Sequence, residues 1–451
     1  HSNLQFKYFN NKRLLQLYRD KSTGSGSPMI DTYHQLTIDF ELLEWRIDSE
    51  IINFGSLPGN SISNISFEST DLYLEKRFYN LQGIDETHPL VLVNKYVEEK
   101  GEDRFFVSDF AKFIGYPFIQ TQHYLMNLAN YGFLSYDFGE DRVVVHSSLS
   151  RYIQANSKQS DYDVIQFNSI VQNTDMSKPA TNAALNINTR ELLIIGIPNI
   201  SLSSVQDVTL IPSRGQIIVK KNRDFVFSGR ISAGSGRFNL FGHNFHFNYD
   251  NFKLDLNLID SIQLYAPIKP KRKDMYGNDI LTRINTVIEA VNGDLQIDHP
   301  NNKSGLKKKE YPQYPIFRSF EESYVYYDNK NIFDGIYNRE DFVFHLKPFE
   351  IDSLDNYTGE GLSFPGFFVS NIFPRLNDTL SLQDDYSLGF NHKTPIDGFD
   401  IYSGKAKYYN DINLSQQGLS GRGTLQYLTT NLISDSISFF PDSVNIITDT
   451  F

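Results

Sequence analysis

The sequence predicts a mainly β protein, and three observations carry the expectation. Phe and Tyr are very abundant, at 36 and 27 residues. Asn and Asp crowd between them, and short apolar runs recur down most of the chain, separated by Gly, Asn and Asp. Aromatic side chains suit a pleated, half-buried surface, whereas Asn, Asp and Gly suit the tight turns between strands. Such a pattern fits an antiparallel sandwich, a long folded-over sheet or a β-solenoid. The expectation drawn is an elongated solenoid-like or folded-over sheet, because Gly229, Gly242 and Gly293 each sit beside a strand, as at recurring corners.

Residues 1–87 read as a β-rich N-terminal segment. Leu4, Phe6 and Tyr8 alternate, then Leu15 and Leu17, then Leu36, Ile38 and Phe40 up to Trp45. The Ser-, Gly- and Pro-rich stretch 22–28 reads as a flexible loop. Residues 88–156 change texture and predict a winged-helix-like α+β insertion. Leu90–Lys100 has helical spacing, Ser108 is placed to cap a helix ending at Ile114, and Phe118–Tyr131 makes a third helix stopped by Gly132. A hairpin of Phe133–Phe138 and Arg142–His146 follows, then a closing helix over Leu149–Ala155. Phe118, Leu125 and Leu128 would share one helical face, covered by Phe133 and Val144.

Residues 157–268 predict a β-rich solenoid-like segment of many short strands, among them Phe238–Phe241, Phe245–Phe247 and Ile262–Leu264. Residues 269–315 read as a loosely structured connection, with the basic runs Lys269–Lys273 and Lys307–Lys309 bracketing a helix-or-strand stretch at Leu281–Val291. Residues 316–451 return to β texture and are expected to continue beyond this fragment, since the chain opens on His1 rather than Met and stops in mid-pattern at Phe451.

Composition argues against several functions. The formal net charge of -12 opposes a nucleic-acid or anionic-membrane partner. In 88–156 six Lys and Arg face eight Asp and Glu, and Phe118–Tyr131 holds no cation. A DNA-reading helix needs cations for phosphate and guanine, so protein contacts are expected there and nucleic acid is not. Cysteine is absent, which removes disulfides, thiolate metal sites and a Cys nucleophile. No apolar stretch reaches the roughly 18 residues of a spanning helix, so membrane association is expected only through parts outside this fragment.

His243 and His246 lie three apart on a predicted strand, which would send them to opposite faces and away from a shared metal. The carboxylates Asp250, Asp255, Asp260, Asp384 and Asp385 could include a glycosidase pair that spacing alone cannot find, but most Asp residues here flank turns, where each is more often a turn former than a catalyst. No catalytic, cofactor-binding or metal-binding residue is assigned, and no cofactor is expected.

The blocks Ser27–His34, His88–Leu90, Leu128–Phe133, Asp161–Ile165, Lys220–Phe225, Asp298–Gly305, Ile351–Asn356 and Phe440–Ser443 stand out. Together they are similar to a widespread family of very large, poorly characterised exported proteins of Bacteroidota. The resemblance spans nearly the whole chain and implies an exported protein of the periplasm, outer membrane or cell surface. It carries over no catalytic residue. Five tripeptides starting at Asp260, Asp352, Asp378, Asp435 and Asp442 also resemble the Asp-Ser/Thr-aliphatic acceptor of O-glycosylation in such proteins. The candidate acceptors are Ser261, Ser353, Thr379, Ser436 and Ser443. Turn chemistry leading into a strand explains the same tripeptides without a glycan.

The functional expectation is a non-enzymatic scaffold or interaction protein with protein partners in the cell envelope. The alternative is a polysaccharide-binding or polysaccharide-cleaving β-solenoid protein, with carbohydrate as its ligand. An exposed aromatic row flanked by two carboxylates would favour the alternative, and buried aromatics the scaffold.

Overall fold

A computed structural model describes residues 4–19, 27–83 and 86–448. Strands take 47% and helices 15%, so the chain is mainly β. Twenty-five strands belong to one antiparallel sheet, beside smaller sheets of four and three strands. Of the loop read at 22–28, residues 22–26 lie outside the described residues. Contacts divide the chain into two compact units, neither of them continuous in sequence. The first is His1–Gly229, His246–Lys253 and Ile297–Tyr311, and the second is Arg230–Phe245, Leu254–Gln296 and Pro312–Phe451.

In the first unit the four-stranded sheet runs Gln166–Gln172, Ile62–Ser69, Leu36–Asp39, Met29–Asp31. Ile38 pairs with Phe67, which pairs with Phe167, and all three are fully buried. Such rows of cross-strand neighbours stabilise a sheet, and a register slip of one residue would turn the whole row to solvent.

Among the described residues five α-helices stand in this unit: α1 (Glu75–Gln82), α2 (Pro89–Lys100), α3 (Val107–Ile114), α4 (Phe118–Asn130) and α5 (Ser147–Asn156). They share a core with the hairpin Leu134–Asp137 and Arg142–Val145, whose second strand also pairs with Arg104–Phe106. Two side-chain expectations fail here. Ser108 is the second residue of α3 and makes no cap, because Phe106 holds the N-cap position. Phe118 is 39% exposed and Thr121 takes the inner position on α4, while Val143 rather than Val144 is the hairpin residue that reaches full burial.

His88 begins α2. Its Nδ1 accepts the Leu90 N–H at 3.1 Å, its Nε2 donates to the Phe78 carbonyl at 2.9 Å, and its ring stacks on Phe78 at 3.7 Å. Burial pushes the imidazole below its ordinary 6.5. The unfolded chain therefore binds this proton more tightly, so the stability is full above 6.5 and falls as pH drops through the folded value. Urea unfolding of His88→Asn, which keeps a capping side chain without a titrating one, should show a flatter stability profile between pH 7 and 5 than the wild type. Equal slopes would contradict this role for His88.

The second unit is dominated by a meander whose main strands pair in order, passing over the short strands Glu350–Ile351 and Phe399–Ile401. Ser323–Tyr326, Phe342–Leu346, Ser363–Ser370, Leu376–Leu382, Leu388–Lys393, Ala406–Ser415, Gly418–Tyr427, Thr430–Phe439 and Val444–Ile447 follow one another. Val325, Phe344, Phe368 and Leu376 make a buried row across four of them.

Three expectations change with the strands. The runs Phe238–Phe241 and Phe245–Phe247 belong to one strand, Phe238–Asn248, and Ile262–Leu264 lies inside Lys253–Pro267. The glycines are not corners: Gly242 and Gly293 lie within strands, where an added Cβ would stand 2.1 Å from the Leu258 carbonyl oxygen and 2.0 Å from that of Arg318. They permit close backbone approach. The stretch 269–315 holds the 16-residue strand Leu281–Gln296, and its remainder near Asp298 is closely bonded.

Candidate functional site

In the first unit the chain gathers charge where an apolar core would be expected. Asp163 is fully buried. Its carboxylate accepts hydrogen bonds from Ser69 Oγ at 2.6 Å, Tyr249 Oη at 2.8 Å and the Ile165 N–H at 3.0 Å. Arg223, 6% exposed, donates from Nη1 to Asp71 at 2.7 Å and to Ser69 Oγ at 3.2 Å, and stands 3.8 Å from Asp163. Its guanidinium lies 3.6 Å over the Tyr249 ring. The backbone is pinned as well, since the Asn222 and Arg223 N–H groups donate to the Tyr33 and His34 carbonyls.

Burial pushes the Asp163 carboxyl above its ordinary value, against the pull of its donors and of Arg223. Burial first, and then the Asp163 charge, raises the Tyr249 hydroxyl. Nearby, Asp31 bonds His34 Nδ1 at 2.6 Å, and although burial raises its carboxyl, bonds from His34 and Tyr33 hold it below the ordinary value.

A second polar group continues this knot. Asp161 accepts the Lys303 N–H, the Ser304 N–H and Ser304 Oγ, at 2.8, 3.0 and 2.6 Å. Asp298 accepts Gln206 Nε2 at 2.7 Å and Asn302 Nδ2 at 2.9 Å. Gly305 has φ +74° and lies against Val205, where a Cβ would come within 2.6 Å. Burial lowers the Lys303 ammonium. Sequence blocks that are far apart thus meet: 27–34, 161–165, 220–225 and 298–305 all supply this knot.

Beside it opens a cleft of about 500 Å³, walled by Glu68, Asp71, Arg77, Tyr131, His146, Arg151 and Asp161 among others. The charged groups on its walls already hold one another. Arg77 makes two parallel bonds to Glu68 at 2.7 and 2.8 Å. Arg151 donates to the Asp71 carboxylate at 3.0 Å, on the oxygen opposite to the one held by Arg223. His146 bonds Ser135 Oγ at 2.9 Å and the Gly132 carbonyl at 3.0 Å. An anionic ligand would first have to displace a bidentate carboxylate from Arg77. Ser69, whose hydroxyl bonds the Asp163 carboxylate beside the cleft, is 3% exposed and does not reach solvent as a nucleophile would need. The arrangement ties α5 through Asp71 to the buried Arg223.

In the second unit a half-buried aromatic stripe crosses the meander. Tyr324 pairs with His345, which pairs with Phe367. Tyr324 meets His345 at 5.1 Å, and His345 stacks on Phe367 at 4.4 Å and 13°. Arg375 covers Phe367 at 3.4 Å, and Arg339 covers the adjoining Tyr326 at 3.9 Å while holding Glu289 with two bonds of 3.0 Å. The rings face one another and two guanidiniums, rather than lying flat toward solvent.

The histidine pair differs from its sequence reading. Asn244 has φ +54°, the burial alternation shifts phase there, and both His243 and His246 fall off the buried face. A bulge of one residue breaks the period of two on which the opposite-face expectation rested. His243 approaches Asp260 at 3.2 Å and His246 approaches Asp224 at 3.9 Å. Among the described residues no group of three His, Asp or Glu could hold a metal. Asp385 accepts the Ser387 N–H and hydroxyl, as a turn residue does, whereas Asp250 accepts Asn222 Nδ2 at 2.8 Å from 28 residues away, and Asp255 and Asp260 lie within the strand Lys253–Pro267 rather than in turns. Among the described residues no helix is long and apolar enough to cross a membrane.

The five hydroxyls proposed as glycan acceptors are not equivalent. Ser261, Ser353 and Thr379 are half-buried, whereas Ser436 and Ser443 are exposed. Ser443 also precedes the strand Val444–Ile447, in a turn where its carbonyl accepts Tyr402 Oη at 2.7 Å. A bulky hydrated glycan needs an exposed hydroxyl, so modification should fall on Ser443 or Ser436 first. Peptide mass spectrometry of protein from the native host checks this. A glycan confined to Ser261, Ser353 or Thr379 would contradict the ordering, and all five peptides at unmodified mass would remove the modification.

No family model matches the chain, and neither the curated proteins nor the solved structures give a match.

Proposed function

We propose that this chain is a non-enzymatic scaffold or interaction protein of the cell envelope, exported and related to the large Bacteroidota proteins that its sequence blocks resemble. In this reading the sheet is an elongated, solenoid-like or folded-over surface, and the segment 88–156 is a winged-helix-like insertion that makes protein rather than nucleic-acid contacts. The observation that carries the proposal is the state of the aromatic rings. Phe225, Phe245, Phe247, Phe344 and Phe368 are fully buried, and the half-buried stripe is stacked on itself and on Arg339 and Arg375. Sugar-binding rows present free ring faces to solvent, and these faces are taken. The satisfied ion pairs of the cleft support a holding role in the same way.

Affinity electrophoresis in polysaccharide-containing gels, with a reducing-end assay alongside, tests the reading. The scaffold should migrate unretarded and release no reducing ends. Retardation abolished by Phe367→Ala would replace it with the polysaccharide reading. Crosslinking in the native host, followed by identification of a stoichiometric envelope protein, would supply the partner.

A further inference from the structure

The basic run Lys269–Lys273 has no place in the scaffold reading, and the structure gives it a setting. Strands Lys253–Pro267 and Leu281–Gln296 pair with each other, and the chain between them closes into a tip. The Ile268 N–H donates to the Ile280 carbonyl, the Ile280 N–H donates to the Arg272 carbonyl, each at 3.0 Å, and the backbones of Lys273 and Asp279 pair as an isolated antiparallel β-bridge. Asp274 closes the turn: its carboxylate accepts the Tyr276 and Asn278 N–H groups at 2.8 and 2.9 Å, and its own N–H donates to the Asn278 carbonyl at 2.9 Å. This bonded turn holds Met275 and Tyr276 at 88% and 83% exposure. Around them Lys269, Lys271, Arg272, Lys273 and Arg283 are exposed. Against these five cations the tip holds two carboxylates, Asp274 in the turn and Asp279, which is paired with Arg237 at 2.9 Å. A local surplus of cations therefore surrounds two adjacent apolar side chains, on a chain whose net charge is -12.

We infer that this hairpin tip docks on an anionic lipid surface, with Met275 and Tyr276 entering the headgroup region and the cations binding lipid phosphates. The size of the patch selects lipid over protein. Two apolar side chains at a turn offer far less than the roughly 800 Å² per partner of a specific protein interface. A bilayer asks for less, because each Lys or Arg near an anionic surface adds about 1 kcal/mol, or about fivefold in affinity. Tyr is suited to the headgroup level, and Lys and Arg stems extend along apolar surface while their heads stay in water. The sequence expectation placed membrane contact outside this fragment because no apolar stretch is long enough to span a bilayer, and neither that nor the net charge describes a local tip.

The test uses the whole chain in co-sedimentation with phosphatidylcholine vesicles, with and without phosphatidylglycerol. Binding to the anionic vesicles alone is expected. Lys271→Gln, Arg272→Gln and Lys273→Gln together should weaken it by about two orders of magnitude, at about fivefold each. Met275→Ser with Tyr276→Ser should weaken it as well. Tyr276→Trp should shift its emission to the blue on anionic vesicles, which reports insertion directly. All these positions are exposed, so far-ultraviolet circular dichroism should not change. Absent vesicle binding overturns the proposal. So does binding that survives the Met275 and Tyr276 changes and is matched by heparin, since that would be non-specific charge attraction. Tip-dependent binding to an acidic protein in place of vesicles overturns it too.

Discussion

Replacing Arg223 by alanine should cost about 3–5 kcal/mol, because the change leaves the fully buried Asp163 without its nearest cation. Arg151→Ala removes the other bond to Asp71, but Arg151 is 45% exposed, so about 0–1 kcal/mol is expected. The difference separates a buried network from a surface pair sharing one carboxylate. Adding Asp163→Asn to Arg223→Ala should recover part of the loss, since the uncompensated charge disappears while one oxygen remains to accept the Ile165 N–H. The pH dependence has a definite sign. A carboxyl whose folded value lies above its unfolded 3.8 is protonated more readily in the folded state, so stability falls as pH rises through that window. Loss of Arg223 raises the folded value further, and the deficit of Arg223→Ala relative to wild type should shrink as pH is lowered toward 4. Urea midpoints from pH 7 to 4 measure this. A deficit that is small at pH 7, or that grows on acidification, would show that Arg223 and Asp163 are not coupled as drawn.

Much of the local structure was legible because period and punctuation carry it. Gly101, Gly115 and Gly132 stand with positive φ at the ends of α2, α3 and α4, where a left-handed residue is wanted. What was not legible depends on single residues or on long-range pairing. Asn244 breaks a strand's period without interrupting its pattern, which misplaced the two histidines. In α1, with only Phe78 and Leu81 buried, the apolar signal is too brief to stand out from its β-rich surroundings. The interleaving of two units is invisible for a different reason, since segments such as His246–Lys253 and Ile297–Tyr311 join the first unit from far along the chain.

The charged knot was the largest omission. Asp163, Arg223 and Asp298 entered the sequence reading only inside similarity blocks, with no role of their own. Nothing in their local spacing announces that they meet, because their partners lie far away in sequence: 86 residues separate Asp163 from Tyr249, and 154 separate Ser69 from Arg223. The similarity blocks held the relevant residues without saying which faced inward. By contrast, the basic run Lys269–Lys273 was plain as composition, but Met275 and Tyr276 beside it were not singled out, because only the turn geometry and their exposure make them a surface.

Phe247→Ala should cost about 3–5 kcal/mol, the range for deleting a buried aromatic ring from a packed core. Its side chain is fully buried, with Phe225 at 4.9 Å, Phe252 at 6.1 Å and Tyr249 at 6.4 Å between ring centres. Phe225 in turn meets Phe167 at 5.4 Å, so the void would open where two sheets of the first unit share a core. Phe227 is also buried, at 4%, and Phe227→Ala should fall in the same range. Phe6 is the internal control, since it is 65% exposed on the strand Leu4–Phe9, and its replacement by alanine should stay within about 0.5 kcal/mol. Urea unfolding of the three variants decides between two meanings of an aromatic-rich sequence. If Phe247→Ala and Phe227→Ala unfold at the wild-type midpoint, these rings are not core, the 36 Phe need a ligand to explain them, and the polysaccharide reading gains what the scaffold loses.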